Sequence, residues 1–150
     1  MFVHLEKYLA EGRGSCRLAD PRAARIVEET LLFRDKQHYE LIAWVVMPNH
    51  VHVVIRQKPG VRLEDLVRRW KSWMAHEIHR VFDTSGRFWQ PEVFDHWLRD
   101  AMRIQGAIRY VELNPVTAGL CATPLDWEFS SARRHPDRWR KTGTPSDQPC

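Results

Sequence analysis

His50 and His52 stand two residues apart in the stretch Trp44-Val-Val-Met-Pro-Asn-His-Val-His-Val-Val-Ile55. The stretch is β-forming on both sides of Pro48-Asn49, so it reads as two strands joined by a tight turn. Side chains along a strand alternate between faces. Val51, Val53 and Ile55 therefore point towards a core, and His50, His52 and Val54 point the other way. Two imidazoles on one face can reach a single cation, since neutral imidazole is a common metal ligand. Tyr110 and Asn114 lie four residues apart in a helical pattern, on one face. A tyrosine hydroxyl is a poor nucleophile near neutral pH, but it can form covalent intermediates at an activated centre. A cation held by His50 and His52, with Asn114 adding an oxygen, would polarise a phosphoryl group beside Tyr110. Histidine nitrogens, an amide oxygen and open positions suit Mg²⁺ or Mn²⁺ and argue against the closed tetrahedron of structural zinc. Spacing alone favours a plainer reading: half-exposed strand histidines and an amphipathic surface tyrosine.

The elements that must position these residues follow from patterning. Asp20 is an N-cap with Pro21 at the first helical position, and Ala24, Ile26, Val27, Thr30 and Leu31 continue a helix from Pro21 to about Arg34. Residues 39–46 form the strand that pairs with the histidine strand, and Lys58-Pro-Gly60 ends the hairpin. Leu66, Val67, Trp70, Trp73, Met74, Ile78 and Val81 form the apolar stripe of a helix from about Leu63 to Phe82. Arg68, Arg69, Lys71, His79 and Arg80 charge that helix positively. Residues 93–98 can form another strand. Asp100 opens a third helix with core positions Ile104, Ile108 and Val111, and Arg103, Ala107, Tyr110 and Asn114 share a different face. Pro115 predicts that this helix ends at Asn114 or restarts there, with Gly119 closing the turn. Residues 1–18 are hard to read, with Phe2-Val-His-Leu5 able to begin a strand. The order helix, strand, strand, helix, strand, helix is α+β.

The 150 residues suit one domain with a real core, and 43% hydrophobic against 28% charged is ordinary globular composition. Lys plus Arg exceed Asp plus Glu by 23 to 19, and the pI is about 9.2, which permits a nucleic-acid partner without demanding one. Several of the seven tryptophans sit beside Arg or Lys, a combination suited to stacking on bases. Cys16, Cys121 and Cys150 are odd in number and widely spaced, so neither a disulfide framework nor a zinc ribbon is expected and a cytoplasmic setting fits. No apolar run is long enough for a signal peptide or a membrane span.

Several motifs agree in order: Met47-Pro-Asn-His-Val-His-Val-Val-Ile55, Trp70-Lys-Ser72, Phe88-Trp-Gln90, Phe94-Asp95 and Tyr110-Val-Glu-Leu-Asn-Pro-Val-Thr-Ala-Gly-Leu120. Together, over about residues 8–134, they resemble the REP-associated tyrosine transposases of the HUH single-strand nuclease group. The resemblance implies a ferredoxin-like antiparallel sheet with helices on one face. It implies His50 and His52 as metal ligands, Asn114 as a third polar ligand and Tyr110 as the nucleophile, with Mg²⁺ or Mn²⁺ as cofactor. The implied reaction cuts and rejoins single-stranded DNA through a 5′-phosphotyrosine at hairpin sequences. Arg68, Arg69, Lys71, Arg103 and Arg133 are the expected DNA contacts, and Trp127-Glu-Phe-Ser-Ser-Ala-Arg133 matches the family's tail pattern. Single-stranded or hairpin DNA is the expected partner, with no membrane, a nucleoid association when DNA is bound, and monomer and homodimer both open.

One departure stands out. The family places a strand rich in Thr, Phe and Arg at the centre of the sheet, and this chain offers only its first few residues there. The expectation is therefore an N-terminally truncated domain over residues 1–134, lacking a full first strand, and a flexible tail over residues 135–150. Two rivals accompany the transposase reading. One is a domesticated module that binds hairpins without cutting. The other is a two-histidine iron oxygenase, which would need a carboxylate that the strand before the histidines does not offer.

Overall fold

The structure is a computed structural model and describes residues 1–11 and 16–140. Four strands form one antiparallel sheet: β1 (Phe2–Tyr8), β2 (Tyr39–Val46), β3 (His50–Gln57) and β4 (Phe94–Leu98), in the order β2-β3-β1-β4. Among the described residues three α-helices accompany them: α1 (Pro21–Phe33), α2 (Leu63–Phe82) and α3 (Ala101–Thr117). The α+β sheet is as expected, and the hairpin turns at Pro48-Asn49, where Met47 N–H donates to His50 O at 2.8 Å.

The expectation of an incomplete first strand is corrected. Phe2–Tyr8 is a seven-residue strand that pairs with β3 on one side and β4 on the other. Val3 and Leu5 fill the core, at 0% and 4% exposure. Its pattern was weak because Lys7 takes the third inward position. Lys7 bridges to the backbone instead, donating to Gln90 O and, at 2.7 Å, to Glu92 O. Neighbours on both sides, more than its own apolar content, make this segment a strand.

The helices divide between the faces, which corrects the one-face expectation for α3. Helices α1 and α2 close the main core over Val3, Leu5, Leu41, Val51, Val53 and Ile55. Helix α3 lies on the opposite face, where Ala107 and Val111 pack with Ala43, Val45 and Val54. Both α1 and α3 begin on aspartate caps: Asp20 accepts from Arg22 N at 2.9 Å, and Asp100 accepts from Arg103 N at 2.8 Å. Helix α2 carries Glu64 and Asp65 in its first turn and His79 and Arg80 in its last, matching the helix dipole.

Helix α3 continues through Pro115 to Thr117, past its expected end. Leu120 N–H donates to Pro115 O and Gly119 N–H to Val116 O, each at 2.9 Å, with Gly119 at φ +75°. That Schellman closure satisfies the last carbonyls and offsets the one donor that proline removes.

Residues 127–134 run along the outer edge of β2. Val46 N–H donates to Phe129 O at 2.9 Å, Trp127 Nε1–H to Val46 O at 3.0 Å and Trp44 N–H to Ser131 Oγ at 2.9 Å. This strip covers an otherwise open strand edge. The flexible tail is corrected for residues 135–140, because Arg138 and Trp139 both bind the buried Glu112 carboxylate, Arg138 at 2.6 Å. Residues 141–150 lie outside the described residues. No helix among the described residues is long and apolar enough to cross a membrane.

Candidate active site

Register builds the site. In the β1–β3 pairing Tyr8 lies opposite His50, Glu6 opposite His52 and His4 opposite Val54. Directly paired side chains share a face, so His4, Glu6, Tyr8, His50 and His52 gather on the side away from α1 and α2. Across β1, His96 of β4 pairs with His4, and Phe94 with Glu6. Helix α3 brings Tyr110 over this face. Its ring centre is 5.7 Å from that of His52 and 5.9 Å from that of His4. Tyr110 is 55% exposed, so a large substrate can reach it.

The histidines form a connected set. His50 Nε2 is 3.1 Å from His52 Nε2, and His52 Nδ1 is 3.1 Å from His4 Nε2. His50 Nδ1 lies 2.7 Å from Asn49 Oδ1, and a carbonyl oxygen can only accept. His50 therefore carries its proton on Nδ1 and turns the Nε2 lone pair towards His52. The Tyr8 ring stacks on His50, with centres 4.7 Å apart and planes 10° from parallel. Glu6 Oε1 lies 3.7 Å from His52 Nδ1 and 4.0 Å from His4 Nε2, and its Oε2 accepts the Tyr8 hydroxyl proton at 3.2 Å.

Burial sets the protonation. It holds His52 down to about 3, with His50 and His4 adding to the effect. His4 and His50 are also lowered, chiefly by burial and against the pull of Glu6. All three rings are neutral at pH 7, the form that ligates metals.

The donor set fits a divalent cation. Two cis ligands of an octahedral ion at about 2.1 Å sit about 3 Å apart, and the His50 and His52 Nε2 atoms are 3.1 Å apart. A second grouping uses the other side of the His52 ring: His4, Glu6 and His52 offer donor atoms all within 4.8 Å of one another.

The structure thus brings His50, His52 and Tyr110 together from β3 and α3. Asn114 follows Tyr110 by one turn of α3 and is half-buried. The expected DNA contacts lie on three separate elements. Arg68, Arg69 and Lys71 ride on α2, across the sheet, where Arg68 and Lys71 line a cleft of about 740 Å³ with Phe88 and Trp97. Arg103 pairs with Asp100 at 3.4 Å at the start of α3, and Arg133 is exposed on the strip beside β2. Sequence reasoning missed His4, Glu6 and Tyr8, and used Asn49 only as a turn residue. The signal was there: period-two alternation in Phe2–Tyr8 sets these three opposite Val3 and Leu5.

Comparison with known proteins identifies the family and agrees with the fold. The family model described as "Transposase IS200 like" matches residues 18–114, which include His50, His52, Tyr110 and Asn114. A REP-associated tyrosine transposase of Escherichia coli K12 is 30% identical over 99 residues, 64% of this chain and 56% of that protein. The matched part thus spans little more than half of that relative. A solved REP-associated tyrosine transposase bound to a REP hairpin superposes with a TM-score of 0.77 at 22% identity, covering 98% of this chain and 88% of that one. With its sheet, its histidine pair and its facing tyrosine, the chain belongs to the IS200-like transposase family.

Proposed function

We propose that this chain is a metal-dependent transposase that cuts and rejoins single-stranded DNA beside hairpin sequences through Tyr110. One observation carries the reading: Tyr110, on α3, stands beside His52 of β3, far away in sequence, with ring centres 5.7 Å apart, and His52 in turn meets His50 at 3.1 Å. His50, His52 and Asn114 would hold Mg²⁺ or Mn²⁺. When bound, that ion supplies Lewis-acid polarisation of the scissile phosphate and neutralises developing charge.

The chain's own residues do the rest. Tyr110 oxygen attacks phosphorus, the phenolic proton departs to solvent, and the bond to the 3′ oxygen breaks. The DNA 5′ phosphate is then esterified to Tyr110, and the other strand end leaves as a free 3′ hydroxyl. The ester keeps the bond energy, so a second 3′ hydroxyl can reverse the step and join strands without a nucleotide cofactor. His50 is held by Asn49 and Tyr8, which fixes the geometry before substrate arrives. The exposure of Tyr110 suits a DNA strand lying across the open end of the sheet.

The test is a labelled DNA hairpin with a single-stranded flank, incubated with the chain and Mn²⁺. A covalent protein–DNA adduct is expected, absent in Tyr110→Phe and in metal-free buffer. Hairpin binding with no adduct would favour the non-cutting module instead.

A further inference from the structure

His52 has two nitrogens and two sets of partners, and a neutral imidazole has only one lone pair to offer. Its Nε2 faces His50 Nε2 at 3.1 Å, and its Nδ1 faces His4 Nε2 at 3.1 Å with Glu6 Oε1 at 3.7 Å. Asn49 settles the far end by accepting the His50 Nδ1 proton. Without a cation the donors run one way: His4 Nε2–H to His52 Nδ1, His52 Nε2–H to His50 Nε2, His50 Nδ1–H to Asn49. In that state the His52 Nε2 proton blocks the place a cation needs.

Building on the metal reading above, we infer that Glu6, assisted by His4, is a positioning residue that selects the metal-binding tautomer of His52. For His52 to ligate through Nε2, its proton must sit on Nδ1. The exchange moves one proton between the nitrogens of the His52 ring, a matching exchange on His4 turns its Nε2 from donor to acceptor, and no proton is released. The His52 Nδ1–H then faces the His4 Nε2 lone pair at 3.1 Å and the Glu6 carboxylate at 3.7 Å. An ionised carboxylate is acceptor-only, and Glu6 is held in place by the Tyr8 hydroxyl at 3.2 Å. Its side chain is 17% exposed, so the interaction is little weakened by solvent. A carboxylate behind a ligating histidine also raises the ligand's basicity. Strand β1 thereby touches both ligand rings, stacking Tyr8 on His50 and turning Glu6 to His52.

The same residues define the rival arrangement. A cation seated among His4, Glu6 and His52 Nδ1 would use the lone pair on the other side, so one His52 ring cannot serve both sites.

Mn²⁺ affinity by calorimetry and ¹⁵N spectra of the histidine rings with and without Mg²⁺ decide between them. The full chain should bind Mn²⁺, and His52 should become the Nδ1–H tautomer on adding Mg²⁺. Glu6→Ala should weaken Mn²⁺ binding about 10- to 100-fold. Glu6→Gln keeps an acceptor oxygen and should recover most of that loss, with both variants' melts checked in metal-free buffer. His50→Ala should remove binding. Wild-type affinity and tautomer in Glu6→Ala would overturn the inference alone. So would binding that survives His50→Ala but not His4→Ala, which would seat the cation on β1. No Mn²⁺ binding by the wild type would overturn this inference and the metal half of the proposed function, while the Tyr110 adduct test would still judge the nucleophile.

Discussion

The two faces of the central strands carry opposite chemistry. On one, Val3, Leu5, Val51, Val53 and Ile55 meet α1 and α2 and exclude water, each at 5% exposure or less. On the other, His4, Glu6, Tyr8, His50 and His52 crowd nitrogen and oxygen atoms within hydrogen-bonding range of one another. Neighbouring residues of one backbone thus do opposite work. The apolar face supplies the free energy that holds the polar face in register, and the polar face contributes little stability of its own.

That contrast can be broken first on the apolar side. Ile55→Ala removes a fully buried side chain and should cost about 3 kcal/mol in urea unfolding. A loss below about 1 kcal/mol would mean that this face is loosely packed.

Acid should strike the polar face next. His52 titrates at about 3 in the folded chain against 6.5 for the free side chain. Between these values the unfolded chain binds the extra proton, so stability is full above about pH 6.5 and falls as pH drops towards 3. The loss reaches at most about 1.4 kcal/mol per pH unit for this one group. Melting of the metal-free chain from pH 7.5 to 5 should show the decline. His4 and His50 shift in the same direction and steepen it.

Replacing the ligand tests the division of labour itself. His52→Val should change stability at pH 7.5 by no more than about 1 kcal/mol, flatten the acid limb and abolish cation binding. A collapse of the fold would show that the polar face is structural.

The smallest effect is expected at the rim. Phe94 is 49% exposed beside Tyr8, with ring centres 6.1 Å apart. Phe94→Ser should leave the melting curve within about 0.5 kcal/mol of wild type. If this face receives single-stranded DNA, the variant should bind it several-fold more weakly in a fluorescence-anisotropy titration, through the lost stacking surface.

Much of this arrangement was legible in the chain. Helix α2 spans Leu63–Phe82 as its stripe of apolar residues indicated, because a long amphipathic pattern has one good solution. The hairpin was legible because Pro48-Asn49 interrupts two β-rich runs. Strand β1 was not, since Val3 and Leu5 alone alternate before Lys7 breaks the pattern, and pairing on both sides supplies what local preference lacks. The docking of residues 135–140 was hidden too. Their polar composition reads as a tail, yet Arg138 and Trp139 answer a glutamate buried at 0% exposure on α3.

The sequence by itself determined which side chains could ligate, attack or fill a core, because residue type and local period depend only on neighbours along the chain. It also determined that His50 and His52 would share a strand face. Only the tertiary structure decided what meets them. The antiparallel register of β1 put Glu6 beside His52, and the packing of Ala107 and Val111 on the sheet put Tyr110 beside His52 and His4. Those contacts join segments tens of residues apart, and no local pattern encodes them. They arise from the burial of apolar surface that draws the strands and α3 together.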